Sequence, residues 1–348
     1  MSVVVAAYNA KAYLRETLAS VSAQRYRRLE IIVVDDGSTD STSEVVEEWS
    51  RNDPRIRLIR QANTGVGAAR NPAITAANGK YVAPIDADDV WDAEKIFAQV
   101  AEMEKCGEAA GFVYCWTRSI DGKGRVIGAQ QTCSIEASIE GKIFNALFFR
   151  NFLHSASVPL FRMAALRRVG GYATREEQGG VQGCEDWELC LRVASQYEVR
   201  VVPQYLVNYR RIGSGMSLNV SCMEGSFHWM IRETVKRMPV SPKLVRWSAG
   251  YYYLYLALMA RQSGQVETSL RCLAIAAKLD FATFLAPRYF SILAHGCYRR
   301  IYRWTPSSAS RTPTSGWSWR DAMKRIFWLP YLHIERTRFV TVAGALKR

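Results

Sequence analysis

Two acidic clusters stand where apolar runs stop. Asp35-Asp36 closes IIVVDDGS, and Asp86-Ala87-Asp88-Asp89 closes VAPIDADDVW. Carboxylates at the carboxyl ends of neighbouring parallel strands share one crevice. Such a crevice can hold a divalent cation by hard oxygen ligands and, through the cation, a diphosphate. A third pair, Glu185-Asp186, opens a helical pattern after a Gly-rich stretch. A carboxylate there can take a proton from an attacking hydroxyl, although acidic residues in a first turn also simply offset the helix's positive end.

These clusters need a sheet to bring them together, and the front of the chain supplies the pattern for one. Val3–Ala7, Ile31–Val34, Ile56–Ile59 and Tyr81–Ile85 are β-branched, apolar runs. Helical patterns lie between them at Ala10–Ser22, Thr42–Ser50 and Gly65–Ala77, the second led by N-cap residues Ser38-Thr39-Asp40-Ser41. This rhythm predicts an α/β fold with a doubly wound, mostly parallel sheet flanked by helices. Further on, the sequence predicts a helix at Glu94–Lys105, a strand at Gly111–Ser119, a hairpin turn at Asp121–Gly128 and a strand at Val158–Phe161. It then predicts a helix at Met163–Val169, a mobile loop at Glu176–Gly183, a helix from Glu185 to Ser195, and strands at Val199–Val202 and Leu206–Arg210. Asp89 is expected to cap a helix running through Trp91.

Charge divides the chain. Residues 1–200 carry 24 Lys and Arg against 26 Asp and Glu, and residues 201–348 carry 22 against 6. The expected boundaries are a catalytic domain at 1–220, a helical extension at 221–304 and a basic, aromatic-rich tail at 305–348. Within the last, Thr305–Gly316 reads as a linker and Trp317–Trp328 as an amphipathic segment suited to a membrane interface. An anionic membrane surface is therefore a candidate partner, weighed against an ordinary helical flank. No zinc-finger or RNA-binding signature is present, which argues against nucleic acid. The eight cysteines show no CxxC spacing and read as reduced thiols of a cytoplasmic protein. The first residues read as a strand and not as a signal peptide. The longest uncharged stretch, Trp247–Ala260, is shorter than the roughly 20 residues that span a bilayer.

Five ordered motifs, VVVAAYNAKAYLRETLASVSAQ, LEIIVVDDGSTDST, NTGVGAARN, IDADD and CEDWELCLR, resemble the family 2 glycosyltransferases of the GT-A fold. The resemblance covers residues 1–215. It implies a nucleotide-sugar donor, Mg2+ or Mn2+, a saccharide or lipid-linked acceptor in bacterial surface-glycan assembly, and inversion at the anomeric carbon. In that family Asp36 would accept from the nucleobase, with UDP the first expectation, and Asp35 would support it. Asp88 would ligate the metal, with Asp86 near the ribose or the metal's waters. Asp186 would be the base and Glu185 would orient the acceptor.

On physical grounds Ala6, Ala7 and Tyr8 can line a slot for a nucleobase, while an Asx turn with Gly37 is the plain alternative for Asp35-Asp36. Gly65 and Gly67 can bring backbone to a phosphate, or merely turn the chain. Arg70 can anchor a carboxylate of the 86–89 turn. Tyr209-Arg210-Arg211 with Ser214, Met216 and Ser217 resembles a segment that closes over a diphosphate, for which Arg210 offers a bidentate fork. His154 faces an acceptor or serves structure. Two other functions compete: a nucleotidyltransferase, weakened by the lack of a Gly-rich basic loop after the first strand, and a non-catalytic nucleotide-sugar-binding scaffold recruited by the tail.

Overall fold

A computed structural model describes residues 1–130, 139–213, 218–281 and 338. The chain divides into two compact units. The first comprises Met1–Leu147, Asn151–Met216 and Ser221–Met238; the second comprises Phe148–Arg150, Ser217–Val220 and Pro239–Arg348.

The chain opens as β1 (Ser2–Ala7), α1 (Leu14–Ser22), β2 (Glu30–Asp35), α2 (Thr42–Asn52), β3 (Ile56–Arg60), α3 (Val66–Ala76) and β4 (Tyr81–Asp86). The strand order β3-β2-β1-β4 is parallel throughout. Val3, Val4, Val5, Ile31, Ile32, Val33, Val34 and Ile85 are completely buried. These runs are continuous because both faces of a parallel sheet are covered by its crossover helices. The register sets Ala6 beside Asp86 and Ala7 beside Asp35. Asp35 and Asp86 thus end their strands on either side of β1 and open into one crevice.

The chain continues through β5 (Val90–Trp91), α4 (Lys95–Lys105), β6 (Ala110–Ile120), β7 (Val126–Gln130), α5 (Phe144–Phe149), β8 (Leu160–Arg162), α6 (Met163–Val169), α7 (Glu185–Ala194), β9 (Glu198–Arg210) and α8 (Val220–Arg237). Short β8 joins β4 and β6 antiparallel, and β6 runs parallel to β9 for almost its whole length. The sheet is mixed but mostly parallel, as the sequence predicts. Two expectations change. The runs Val199–Val202 and Leu206–Arg210 belong to one strand, because the register steps from Cys115↔Val202 to Trp116↔Tyr205. Pro203 and Gln204 are left out of the ladder, and a bulge is where a strand accommodates a residue with no N–H. Residues 90–91 are a strand and not the start of a helix, so Asp89 caps nothing there.

In the second unit α9 (Pro242–Gln262) and α10 (Val266–Leu279) form a helical hairpin. Ser241 caps α9 by accepting from the Leu244 N–H at 3.2 Å, and Gly264 takes the positive φ that the intervening turn requires. Leu256, Ala257 and Ala260 are buried, as are Cys272, Leu273 and Ala276. The Ser269 hydroxyl donates across the pair to the Ala257 carbonyl at 2.7 Å. Among the described residues no helix is long and apolar enough to cross a membrane. The linker expected at Thr305–Gly316 and the segment Trp317–Trp328 lie outside the described residues.

α3 approaches the loop after α6 very closely. A Cβ on Gly67 would stand 2.2 Å from the Ala173 carbonyl oxygen, which is backbone and cannot swing away. Gly67→Ala is expected to cost about 1–3 kcal/mol, measured as a lowered urea midpoint at unchanged slope.

Candidate active site

At the end of β1, Ala6 is half-buried and the Tyr8 side chain is 51% exposed, so its ring is free to stack on a planar ligand. The turn after β1 is pinned to the turn after β2: the Asn9 N–H donates to Ser38 Oγ at 3.0 Å, and Asn9 Oδ1 accepts from the Thr39 N–H at 2.8 Å. Asp35 is buried and accepts from the Ser38 N–H at 2.9 Å and from the Ser43 hydroxyl. Burial pushes its acidity the other way, but the hydroxyls and N–H of the turn win and hold its carboxyl below the usual range. Asp36 is also buried. Its Oδ1 accepts from Gln61 Nε2 at 2.7 Å and the Thr64 N–H at 2.9 Å, and its Oδ2 from the Gly65 N–H at 2.9 Å. Asp36 therefore fixes the 61–65 turn that leads into α3, and Oδ2 is the oxygen with capacity left for a ligand N–H.

The 86–89 turn is held from three sides. The Asp86 N–H donates to Ser157 Oγ at 2.9 Å, and the Thr17 hydroxyl donates to the Asp89 carbonyl at 2.8 Å. Asp89, completely buried, accepts from Ser155 Oγ at 3.0 Å, Ser157 Oγ at 2.6 Å and the Arg210 N–H at 2.9 Å. Arg210 is not presented to a diphosphate. Its guanidinium is buried and donates to the Asp88 carbonyl at 2.7 Å, the Asp121 carbonyl at 3.1 Å and Glu16 Oε2 at 2.5 Å, with its face 4.8 Å from the Tyr13 ring. With every nitrogen committed, it clamps the turn. Ser214, Met216 and Ser217, expected beside it, lie outside the described residues.

At the other end, α7 presents Glu185 and Asp186 in its first turn. Glu185 is buried; its Oε2 accepts from the Gly183 N–H at 3.0 Å and its Oε1 from Arg70 at 3.1 Å. It is thus committed to the protein and not aimed at an acceptor. Asp186 is half-buried and accepts from the Trp187 N–H at 2.7 Å. It lines a small hollow with Ser155, Tyr172 and Cys190. Burial, then the charge of Glu185, raises its carboxyl to about 7, against the opposing pull of Arg70. A carboxylate poised near neutrality is suited to accept a proton. Arg70 also bonds Asp86 at 2.5 Å, so it bridges the two ends of the site. The sequence marks Arg70 as an anchor for the 86–89 turn and Glu185 through the CEDWELCLR motif; that the two pair, and that Ser155 and Ser157 bond Asp89, carries no periodic or motif signal. His154 is half-buried with a left-handed φ of 67°.

Asp86 and Asp88 project from one turn, and both remain half-buried. Among the described residues no other side chain hydrogen-bonds the Asp88 carboxylate. Burial first, and then the charge of Asp86, raises its carboxyl to about 6. Two carboxylates on one turn, Asp86 paired with Arg70 and Asp88 without a bonded side chain among the described residues, offer hard oxygen donors that fit a divalent cation. No group of three His, Cys, Asp or Glu among the described residues completes a cage.

Residues 2–170 match the profile described as glycosyl transferase family 2. This segment of the chain belongs to glycosyl transferase family 2. Over 176 residues the chain is 34% identical to the putative glycosyltransferase EpsH of Bacillus subtilis, covering 46% of this chain and 50% of that protein. Over 150 residues it is 32% identical to the putative teichuronic acid biosynthesis glycosyltransferase TuaG of the same organism, covering 42% and 60%. The chain thus spans little more than half the length of these relatives. Among solved structures, it resembles the mannosyltransferase PcManGT from Pyrobaculum calidifontis in complex with GDP-Man and Mn2+. That likeness has a TM-score of 0.56 at 18% identity, over 99% of this chain and 85% of that one. It also resembles S. aureus TarS 1-349 in complex with UDP-GlcNAc, with a TM-score of 0.52 at 19% identity over 85% and 80%. At these identities the likeness shows the fold, which is GT-A.

In this family 2 domain the acidic turn carries a pH signature. Asp88 has a carboxyl raised from 3.8 to about 6. A carboxyl raised by folding destabilises the folded state once pH exceeds its unfolded value, and the loss is complete above the folded value. Asp88→Asn is therefore expected to match the parent at pH 3.5 and to exceed it by about 1–3 kcal/mol at pH 7.5 without divalent metal, as read by urea denaturation at both pH values.

Proposed function

We propose that the protein is an inverting, metal-dependent glycosyltransferase that moves a sugar from a nucleoside diphosphate, UDP first, to a saccharide or lipid-linked acceptor in bacterial surface-glycan assembly. The observation that carries this reading is the pairing of a cation-fitting carboxylate turn, Asp86 and Asp88, with a carboxylate poised near neutrality, Asp186. The ligands in the complexes of the two structural neighbours, GDP-Man with Mn2+ and UDP-GlcNAc, support a nucleotide-sugar donor.

In this reading Tyr8 stacks on the base, and Asp36 meets a base N–H through Oδ2. Asp88 and Asp86 would hold the cation, which would neutralise charge on the diphosphate leaving group. Asp186 accepts the acceptor's hydroxyl proton as that oxygen bonds to the anomeric carbon. The carbon's bond to the diphosphate oxygen breaks, and the nucleoside diphosphate departs with the electron pair. A single displacement inverts the centre and needs no enzyme nucleophile. Arg210 and Asp89 keep the turn in place without touching the donor.

The first test is binding and slow hydrolysis across UDP-, GDP- and dTDP-sugars, with Mn2+ and with chelator. Metal-dependent selection of one donor is expected; no binding to any would overturn the reading. Asp186→Asn is expected to lower transfer at least about 100-fold while donor affinity, measured by calorimetry, stays within twofold of the parent, as roughly expected of a group that touches only the acceptor. Unchanged transfer would remove Asp186 from the mechanism.

A further inference from the structure

Among the described residues, Arg70 is the side chain bonded to both ends of the site. Its guanidinium, 3% exposed, lies 2.5 Å from Asp86 and 3.1 Å from Glu185. One face sits 4.9 Å from the Tyr172 ring centre. Its Nε is buried without a hydrogen-bond partner. A buried guanidinium that leaves one donor unmatched has been oriented by its two carboxylates, because an orphaned donor is costly. Those carboxylates are 99 residues apart and belong to different elements: Asp86 ends β4, and Glu185 opens α7. Arg70 itself lies on α3, which Gly67 lets press against the loop bearing Tyr172.

We propose that Arg70 is a positioning residue that shares one guanidinium between the cation-side Asp86 and the base-side Glu185-Asp186 pair, so that a cation on Asp86 favours the ionised form of Asp186. The reason is competition for one charge. A divalent cation drawing on the Asp86 oxygens weakens the Asp86–Arg70 pair, and the guanidinium's field then falls more fully on α7. The groups facing Asp186 are Glu185 and Cys190 on its own helix, Arg70 from α3, Asp86 from β4 and Tyr172 from the loop after α6. Arg70 is the sole cation among these. The base is thereby armed when the donor end is loaded, which guards a bound nucleotide sugar against an idle base. By linkage the effect runs both ways: charge at Glu185 must alter cation affinity at Asp86. The role given to Asp186 rests on the glycosyltransferase reading; the coupling of Glu185 to the cation does not.

The first arm titrates Mn2+ alone, read by paramagnetic resonance of the free ion at pH 8, with folding checked by circular dichroism. Glu185→Gln gives Arg70 wholly to Asp86 and is expected to weaken Mn2+ binding by about fivefold or more, the low end of site-to-site couplings. Asp186→Asn removes a neighbouring charge that does not bond Arg70 and is expected to change it less. An unchanged affinity in Glu185→Gln, or an equal loss in both variants, would overturn the proposal. The second arm is the pH profile of transfer. Arg70→Gln is expected to move the acid limb up by about one pH unit, and Arg70→Lys, which keeps a charge without the fork, to bring it part-way back. Lower rates with an unmoved limb would mark Arg70 as merely structural and sink the idea. Should the parent transfer no sugar from any donor, the glycosyltransferase reading fails while the Mn2+ arm still decides the coupling.

Discussion

Confining negative charge at the carboxyl edge of a buried sheet is the constraint on which this site depends. Asp35, Asp86, Asp88, Asp89, Glu185 and Asp186 belong to three strand and helix ends, and two of the cations set against them are the buried guanidinia of Arg70 and Arg210. Removing a carboxylate from water costs several kcal/mol unless hydrogen bonds and opposite charge offset it. The fold meets that cost in different ways. Asp35 and Asp36 are satisfied by turn N–H and hydroxyl groups. Glu185 takes a guanidinium and an N–H. Asp88 and Asp186 have few partners, and burial followed by the charge of the neighbouring carboxylate raises both toward neutrality.

Partners separate structural carboxylates from chemical ones more cleanly than acidity does. Asp89, like its neighbour Asp88, has its carboxyl raised chiefly by burial. Yet Asp89 accepts three hydrogen bonds from Ser155, Ser157 and the Arg210 N–H and faces no open space. Both carboxyls are weakened as acids by burial first and then by the neighbouring carboxylates; what separates them is that Asp88 has no bonded side-chain partner among the described residues. The same contrast separates the arginines. Arg210 spends every side-chain nitrogen on the carbonyls of Asp88 and Asp121 and on Glu16, whereas Arg70 divides itself between two carboxylates and leaves Nε unmatched.

What the sequence discloses follows from how local each determinant is. The alternation of β-branched runs with helical periods gives the parallel half of the sheet because each strand's burial is written in its own residues. Met163–Val169 is predicted to the residue for the same reason, bounded by Gly170 in a left-handed conformation. The division of β9 into two runs is a local reading of Pro203 that the long pairing with β6 overrides. Site residues fared by the same rule. Acidic types at strand ends are visible, but the partners that decide their roles are distant: Arg210 meets Asp89 across 121 positions, and Arg70 meets Glu185 across 115. An aspartate before Val90-Trp91 looks like a helix cap until Ser155 and Ser157 arrive from another part of the chain.

A site so arranged concentrates negative charge on a fixed turn. Asp86 and Asp88 repel across one turn, and the turn cannot relax because Ser157, Thr17, Asp89 and Arg210 fix its backbone. The hydrophobic sheet behind it bears the cost. Completely buried Val3, Val4, Val5 and Ile31 through Val34 leave the strand ends no freedom to splay. The core's contribution to the site is thus mechanical: it fixes the strand ends from which these carboxylates project.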